Sequence, residues 1–354
     1  MIRVVVAEDS LTVRELLVAI LESDPEIRVV GQANNGVEAL ELATRLKPDL
    51  ITMDIHMPVM DGFEATKEIM VRAPTPILVV SSSVNTREVA LSLNAMRAGA
   101  LMVVAKPDNL DATGFDARCS ELVAMAKAMA QVKVVRRWAP RAGATRPAPT
   151  RSPVRGGPLR AVAVAASTGG PAALQRILSL LPPDFGAPIL VVQHIATGFV
   201  GGLAQWLSAS SRLQVKVAVD GEPLVPRTAY LAPDDRQLGA SSGGRVVVAD
   251  VPAIHGFRPS GTYLFESIAQ AYGASVAAVI LTGMGRDGVD GLHAVKAAGG
   301  WVLAQDEASS IVYGMPGEAV AAGLVDAVLA VDDVAPRLVE LIAGGSYADA
   351  RPRC

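Results

Sequence analysis

The fold of the second half of the chain is decided by residues 161–171, which read AVAVAASTGGP. The first six are small and apolar, as in a buried strand. Gly169 and Gly170 permit a tight turn, and Pro171 suits the first turn of a helix because it lacks an amide hydrogen. We therefore expect a strand, a sharp turn and a helix, with Ser167 exposed at the turn beside the free amides of the helix.

The same alternation extends along the rest of this half. Apolar runs are separated by amphipathic stretches and lie at residues 188–193, 215–219, 276–281 and 300–304. Residues 222–250 are rich in Gly, Pro and short β-prone pieces, which predicts hairpins. The pattern indicates a doubly wound α/β domain with an inserted hairpin region, whose ligand site lies at the carboxyl ends of the strands.

The first half contains five apolar runs, each followed by an amphipathic stretch of helical length. The runs cover residues 2–7, 27–31, 50–53, 77–80 and 101–104. Five strand–helix pairs predict a five-stranded parallel sheet with helices on both faces, a flavodoxin-like α/β fold.

A segment of different composition separates the two halves. Residues 133–160 contain eight Lys or Arg, five Pro and no acidic residue. Such a stretch is typical of an extended, self-repelling linker; the alternative is a basic arm that contacts an acidic partner. We predict a first domain at 1–125, a helix extension and linker at 126–158, a second domain at 159–345 and a tail at 346–354.

Composition excludes several classes of protein. The 354 residues include 32 Lys and Arg against 35 Asp and Glu, so a globally basic nucleic-acid binder is excluded. The two cysteines, Cys119 and Cys354, are too few and too distant in sequence for a disulfide framework, which indicates the cytoplasm. No apolar run reaches the roughly 18 residues of a membrane helix, so we expect no membrane insertion.

Acidic residues follow the strands of the first half. Glu8 and Asp9 follow the first strand and Asp54 the third, while Ser81 and Lys106 end the fourth and fifth. The carboxyl ends of parallel strands share one edge, so these side chains are expected to converge. Clustered carboxylates suit Mg²⁺, and a carboxylate beside a lysine can accept a phosphoryl group.

Three residues in the second half have the chemistry of a catalytic triad. Ser167, His194 and Asp287 each come shortly after a predicted strand. His194 would take the proton of Ser167, and Asp287 would orient the imidazole. From the residues alone, a second possibility stays open: the turn at Ser167 cradles a phosphate.

Residues 1–125 resemble the receiver domain of two-component response regulators. The resemblance lies in Asp54 with Met57 and Pro58, Asp61 with Gly62, and Lys106 with Pro107. It implies that Asp54 is the phospho-acceptor and that Ser81 and Lys106 form the switch. It also implies an Mg²⁺ site made by Glu8, Asp9, Asp54 and the backbone carbonyl of His56. Val103 departs from the pattern, since many receivers carry an aromatic residue there.

Residues 160–345 resemble the catalytic domain of the chemotaxis protein-glutamate methylesterases, the CheB family. The matching motifs are ASTGGP at 166–171, QH at 193, APD at 232, RPS at 258, TGMG at 282 with DG at 287, QDE at 305 and YGMP at 313. The resemblance implies that Ser167 is the nucleophile, His194 the base and Asp287 its orienter. Thr168 and Met284 would line the oxyanion pocket. Ala166 and Gln237 depart from the pattern, where Gly and His are common.

The resemblance implies an enzyme of receptor adaptation in two-component chemotaxis signalling. It would be a phosphorylation-activated hydrolase that demethylates glutamate γ-methyl esters on methyl-accepting chemoreceptors, giving methanol and glutamate. Glutamine deamidation by the same acyl chemistry is also implied. A chemotaxis histidine kinase would be the phosphodonor, and Mg²⁺ would serve the receiver, whereas the esterase reaction would need no cofactor.

Two other classes of function are weighed against this one. The second domain can instead be a non-catalytic, phosphorylation-gated binding module in a paralogous sensory array, in which case docking would survive loss of Ser167. A nucleic-acid-binding output through the arginine-rich linker ranks last, because no helix-turn-helix pattern follows the linker.

Overall fold

The computed structural model of the chain describes residues 1–81, 86–107, 112–132, 134 and 159–344. The chain forms two compact units, which are described separately below. Most of the predicted linker, residues 135–158, and the predicted tail at 346–354 lie outside the described residues, as do Trp138 and Cys354. The domain boundaries given above therefore stay predictions.

The first unit contains the predicted five-stranded parallel sheet. Its strand order is β2-β1-β3-β4-β5, and every neighbouring pair is parallel. Its strands are β1 (Ile2–Ala7), β2 (Ile27–Ala33), β3 (Leu50–Met53), β4 (Ile77–Ser81) and β5 (Met102–Ala105). Because β1 and β3 are neighbours, Glu8 and Asp54 follow adjacent strands.

A helix follows each strand of this sheet, as the alternation predicts. The helices are α1 (Leu11–Glu22), α2 (Gly36–Leu46), α3 (Gly62–Arg72), α4 (Thr86–Ala98) and α5 (Ala112–Ala130). Local chemistry sets where two of them begin. Asn35 accepts a hydrogen bond from the Glu38 amide at the start of α2, and Asp61 accepts one from the Glu64 amide at the start of α3.

The second unit is built on a seven-stranded parallel sheet with the order β14-β13-β12-β6-β7-β9-β8. Its strands are β6 (Ala161–Ala166), β7 (Ile189–Gln193), β8 (Gln214–Val217), β9 (Thr228–Leu231), β12 (Val276–Ile280), β13 (Trp301–Gln305) and β14 (Ala327–Leu329). The doubly wound α/β prediction is confirmed.

Helices connect these strands, and a hairpin is inserted. The helices are α6 (Gly170–Leu180), α7 (Val200–Ser210), α8 (Gly261–Tyr272), α9 (Val289–Ala297), α10 (Met315–Ala321) and α11 (Val331–Ile342). The predicted hairpin is present as the antiparallel pair β10 (Gln237–Ala240) and β11 (Val246–Ala249). Part of the region assigned to hairpins differs, because β9 pairs in parallel with β7 and β8 in the main sheet.

The centre of the second sheet determines where side chains can converge. Strand β6 is buried along its whole length and lies between β12 and β7. Chain connections leave β6 towards β7 on one side and return to β12 on the other, which makes a crevice at the carboxyl ends. Among the described residues, no helix is long and apolar enough to cross a membrane.

Candidate functional sites

In the first unit, the predicted acidic cluster forms at the carboxyl edge of the sheet. Glu8, Asp9 and Asp54 each place a carboxylate oxygen within 4.8 Å of the others. Glu8 and Asp54 are buried and Asp9 is exposed. Three oxygen donors in one pocket, one of them open to solvent, fit a hard divalent cation such as Mg²⁺.

Lys106 bridges the two buried carboxylates of this cluster. Its Nζ lies 2.8 Å from Glu8 Oε2 and 3.0 Å from Asp54 Oδ1. Burial, with the charge of Asp54, raises the pKa of Glu8, and burial also raises the pKa of Asp54 against the opposing effect of Lys106. Burial alone would lower the pKa of Lys106, but the carboxylates more than offset it and raise that pKa. The pocket therefore favours additional positive charge.

The other predicted receiver residues lie around this pocket. Ser81 is buried at the end of β4, and its carbonyl accepts a hydrogen bond from the Lys106 amide at 3.0 Å. His56 is exposed in the loop after β3. Val103, in β5, is buried beside Val79 of β4.

In the second unit, Ser167 occupies the predicted turn between β6 and α6. Its amide donates to the carbonyl of Thr282 at 3.0 Å, and its carbonyl accepts from Gly170 at 2.8 Å. Gly169 has a φ of +78°, a conformation that favours glycine. A Cβ on Gly170 would lie only 2.0 Å from Gln193 Oε1, so the second glycine permits a close approach of β7.

His194 and Asp287 meet at the same edge. His194 Nε2 lies 2.9 Å from Asp287 Oδ2. The other ring nitrogen, Nδ1, is buried and has no hydrogen-bond partner among the described residues. Ser167, His194 and Asp287 follow β6, β7 and β12, and β6 lies between the other two strands in the sheet. This is the convergence that the sequence predicts. Among the described residues, no hydrogen bond joins the Ser167 hydroxyl to the ring; such bonds often tighten only when substrate binds.

The carboxylate of Asp287 is held by several donors. Ser260 Oγ donates to Oδ1 at 2.7 Å, and the Gly261 amide donates to Oδ2 at 2.6 Å. Burial alone would raise the pKa of Asp287, but the hydrogen bond and charge of His194, with the bonds from Ser260 and Gly261, lower it below its ordinary value. Asp287 is therefore suited to stay ionised beside the imidazole.

The predicted pocket residues Thr168 and Met284 lie on the two turns that meet at Ser167. Thr168 is buried, and Met284 is partly exposed. The hydroxyl of Thr282 donates to the Thr168 carbonyl at 2.9 Å, which joins these turns. Within the part of the chain that the structure describes, neither the Thr168 amide nor the Met284 amide donates a hydrogen bond.

Comparison with known families agrees with both units. The model of the CheB methylesterase family matches residues 162–338, and the model of the response regulator receiver domain matches residues 4–113. This chain belongs to the CheB methylesterase family. The resemblance stated from the sequence motifs is confirmed.

Relatives of this family member share its length. The "Protein-glutamate methylesterase/protein-glutamine glutaminase 4" of Myxococcus xanthus (strain DK1622) is 55% identical over 97% of this chain and 98% of its own. The corresponding protein 3 of Anaeromyxobacter dehalogenans (strain 2CP-C) is 54% identical over 96% of this chain and 98% of its own. The crystal structure of the Thermotoga maritima CheB methylesterase catalytic domain has 40% identity and a TM-score of 0.50, covering 52% of this chain and 98% of that one.

The sequence did not predict the ring contact and the glutamine hydrogen bonds that hold the candidate triad and its turns in place. The Phe257 ring stacks on the His194 ring with centroids 4.5 Å apart and an interplanar angle of 16°. Gln193 Nε2 donates to the carbonyls of Ser167 and His194, and Gln305 Oε1 accepts from the Thr282 amide. The motifs contained Gln193 and Gln305, but their partners are distant in sequence and no local pattern reveals them.

Proposed function

We propose that this chain is a phosphorylation-activated protein-glutamate methylesterase that acts on methyl-accepting chemoreceptors and also deamidates their glutamines. One observation carries the proposal: Asp287 holds Nε2 of His194, and the other ring nitrogen is buried, has no partner among the described residues and lies one strand away from Ser167. An imidazole held in this way is prepared to accept a proton from a serine hydroxyl.

In the first half-reaction, Ser167 Oγ attacks the carbonyl carbon of the γ-methyl ester. The hydroxyl proton passes to His194 Nδ1, and Asp287 stabilises the imidazolium through Nε2–H. The tetrahedral intermediate then expels methanol, which takes its proton from His194. The products are methanol and a glutamyl ester on Ser167. For a glutamine side chain the leaving group is ammonia, and the acyl-enzyme is the same.

In the second half-reaction, His194 takes a proton from water, and the water oxygen attacks the acyl carbon. The bond to Ser167 Oγ then breaks, His194 returns the proton to this oxygen, and glutamate and free Ser167 are released. The negative oxygen that forms in both steps needs donors that are already oriented. We assign this role to the amides of Thr168 and Met284, since they are unused within the described chain and lie on the turns joined by Thr282. No cofactor enters this reaction.

The first unit would control the activity through phosphorylation. A carboxylate oxygen of Asp54 attacks the phosphorus of a phosphodonor, and the P–O or P–N bond to the leaving group breaks. Lys106, 3.0 Å from Asp54 Oδ1, stabilises the incoming charge, and Ser81 would follow the phosphoryl group as the switch. Glu8, Asp9, Asp54 and the His56 carbonyl would hold Mg²⁺, which supplies positive charge to the phosphoryl oxygens when bound.

The partners follow from the same reaction. A methyl-accepting chemoreceptor is the substrate, and a chemotaxis histidine kinase is the phosphodonor. The balanced charge of the chain argues against nucleic acid as a partner. The two cysteines and the absence of an apolar run of membrane length in the sequence favour the cytoplasm as the place of action. The domain boundaries at 125, 158 and 345 belong to this proposal.

The non-catalytic alternative is not favoured by the family to which the chain belongs. A binding module would not require Asp287 to accept hydrogen bonds from His194, Ser260 and Gly261 at once, at a buried position.

The proposal is tested by methanol release from a methylated receptor fragment. Wild type, Ser167→Ala and Ser179→Ala are compared with and without Mg²⁺ and a small phosphodonor. Ser179 is a matched control, since it lies on α6 and its hydroxyl donates to the Arg176 carbonyl of the same helix. We expect release by wild type and Ser179→Ala, stimulation by the phosphodonor, and no release by Ser167→Ala. Receptor binding without release in every variant would support the binding module instead.

A further inference from the structure

One face of the His194 ring is contacted by a segment of the connection between β11 and α8. Segment 252–260 lies in the connection between β11, which ends at Ala249, and α8, which begins at Gly261. Phe257 of this segment stacks on the His194 ring, and Ser260 donates to Asp287 Oδ1 at 2.7 Å. The position of this segment therefore affects both members of the candidate His–Asp pair.

One buried side chain connects three points of the segment. Gln237, at the start of β10, has no exposed surface. Its Oε1 accepts from the Ser260 amide at 2.7 Å, and its Nε2 lies 3.3 Å from the carbonyls of both Pro252 and Phe257. The same amide group thus holds the backbone of the residue that stacks on the imidazole and of the residue that binds the carboxylate.

The segment has a second anchor, which is weaker. The Arg258 side chain forms ion pairs with Asp235 and Asp250, and both of these carboxylates are more than two thirds exposed. Exposed ion pairs contribute little because water and salt screen them. The Gln237 amide differs, because its bond from the Ser260 amide is buried and water does not replace it when the side chain is removed. Gln237 is therefore a buried anchor of the segment backbone, in addition to the bond from Ser260 to Asp287.

We propose that Gln237 is a positioning residue of the esterase site, which acts by holding segment 252–260 so that Phe257 stays stacked on His194 and Ser260 stays bonded to Asp287. Among the described residues, the Gln237 side chain forms hydrogen bonds with Pro252, Phe257 and Ser260, so it acts on His194 and Asp287 through the segment. This inference rests on the proposed function for its kinetic consequence, but its structural consequence is independent of that function.

The test compares Gln237→Met, Phe257→Leu and Ser267→Ala in the full chain. Methionine has nearly the volume of glutamine and removes all three hydrogen bonds. Ser267→Ala is a matched control: its hydroxyl bonds the backbone of Ala240, at the other end of the same strand, and touches no part of the segment. We expect Gln237→Met and Phe257→Leu to lose about ten-fold or more in kcat with KM changed less than about two-fold, because the geometry of the general base suffers more than substrate binding.

The second readout is the proton NMR signal of the His194 ring, assigned with His194→Gln. A stacked phenyl ring shifts the protons of its neighbour upfield. We expect these signals to move downfield in Phe257→Leu and in the same direction in Gln237→Met, but to stay in place in Ser267→Ala. The NMR signals do not depend on turnover. They therefore test whether Gln237 holds Phe257 against His194 even if wild type releases no methanol.

Two results would overturn the inference. In the first, Gln237→Met keeps its kcat and its His194 signals while its Tm falls as in Ser267→Ala, which would make Gln237 a residue of fold stability only. In the second, Phe257→Leu moves the ring signals but keeps its kcat, which would show that the stacked ring does not position the base. Phe257 is only half-buried, so this variant remains informative if Gln237→Met does not fold.

Discussion

The Gly261 amide donates a hydrogen bond of 2.6 Å to Oδ2 of Asp287, the same oxygen that lies 2.9 Å from His194 Nε2. Gly261 is the first residue of helix α8. The carboxylate of Asp287, the candidate orienter of the triad, therefore also accepts a hydrogen bond from the N-terminus of a helix. The positive end of the helix dipole favours a carboxylate there. Catalytic geometry and helix stability thus depend on one ionised side chain.

Asp287→Asn should lower kcat by about 10⁴-fold, because an amide cannot stabilise the imidazolium and can present its NH₂ group to Nε2. Methanol release from a methylated receptor fragment measures this. Asp184→Asn is the control, since Asp184 is an exposed carboxylate in the loop between α6 and β7. A kcat within about two-fold of wild type in Asp287→Asn would contradict the assignment of the orienter.

Stability should also depend on the ionisation of Asp287. Its pKa in the folded chain is below the ordinary value of 3.8, so the ionised form stabilises the fold above that pH. The contribution is lost as pH falls through the folded pKa. We expect the Tm of wild type to exceed that of Asp287→Asn at neutral pH, and the difference to shrink below about pH 4. A difference in Tm that stays constant to lower pH would contradict this origin.

Thr282→Val tests whether the turn at Thr168 must be held for catalysis. The Thr282 hydroxyl donates to the Thr168 carbonyl and accepts from the Ile311 and Val312 amides, and valine leaves these groups unpaired. We expect a loss of about 1–3 kcal/mol of stability and about ten-fold in kcat.

The control for this change is Thr228→Val, a buried threonine at the amino end of β9 in the same sheet. Thr228→Val should keep its kcat, because Thr228 lies at the amino ends of the parallel strands, whereas Ser167 lies at their carboxyl ends. Equal kinetic losses in both variants would mean that any buried threonine in this sheet matters, and would remove the special role of Thr282.

Asp54→Asn should abolish phosphorylation by a small phosphodonor, because an amide oxygen is a poor nucleophile. Incorporation of labelled phosphate measures this directly. Asp49→Asn is a matched control, since Asp49 immediately precedes the same strand and accepts from the Arg3 amide at the opposite edge. Labelling of Asp54→Asn at the wild-type level would place the phospho-acceptor elsewhere.

Asp9→Asn should weaken Mg²⁺ binding by about ten-fold, because it removes one anionic ligand from three. Calorimetric titration with MgCl₂ measures the affinity without reference to phosphorylation. Glu15→Gln, an exposed carboxylate change on α1, serves as the control and should bind Mg²⁺ as wild type does. Equal affinity in Asp9→Asn and wild type would exclude Asp9 from the metal site.

Local sequence patterns predicted many of the strands and helices. Alternating apolar runs and amphipathic stretches predicted all five strands and five helices of the first unit, since the periodicity of each element is written in consecutive residues. The helix start at Pro171 was equally local, because a missing amide hydrogen acts within one turn.

Other elements depend on distant partners. Strand β9 lies in a stretch rich in Gly and Pro that resembles a hairpin region, yet it pairs in parallel with β7 and β8. The last strand, β14, and helices α10 and α11 were not assigned from the sequence. Pairing across a sheet depends on long-range packing, which local periodicity does not encode.

The sequence by itself determined which chemical groups follow the strands: the carboxylates of Glu8, Asp9 and Asp54, and the candidate triad Ser167, His194 and Asp287. Only the tertiary structure decided that β12, β6 and β7 are neighbours, that Nε2 rather than Nδ1 of His194 meets Asp287, and that Phe257 covers the imidazole. Residue type and local periodicity belong to neighbouring positions in the chain. Strand order and side-chain contacts, by contrast, arise when segments far apart in sequence pack into one core.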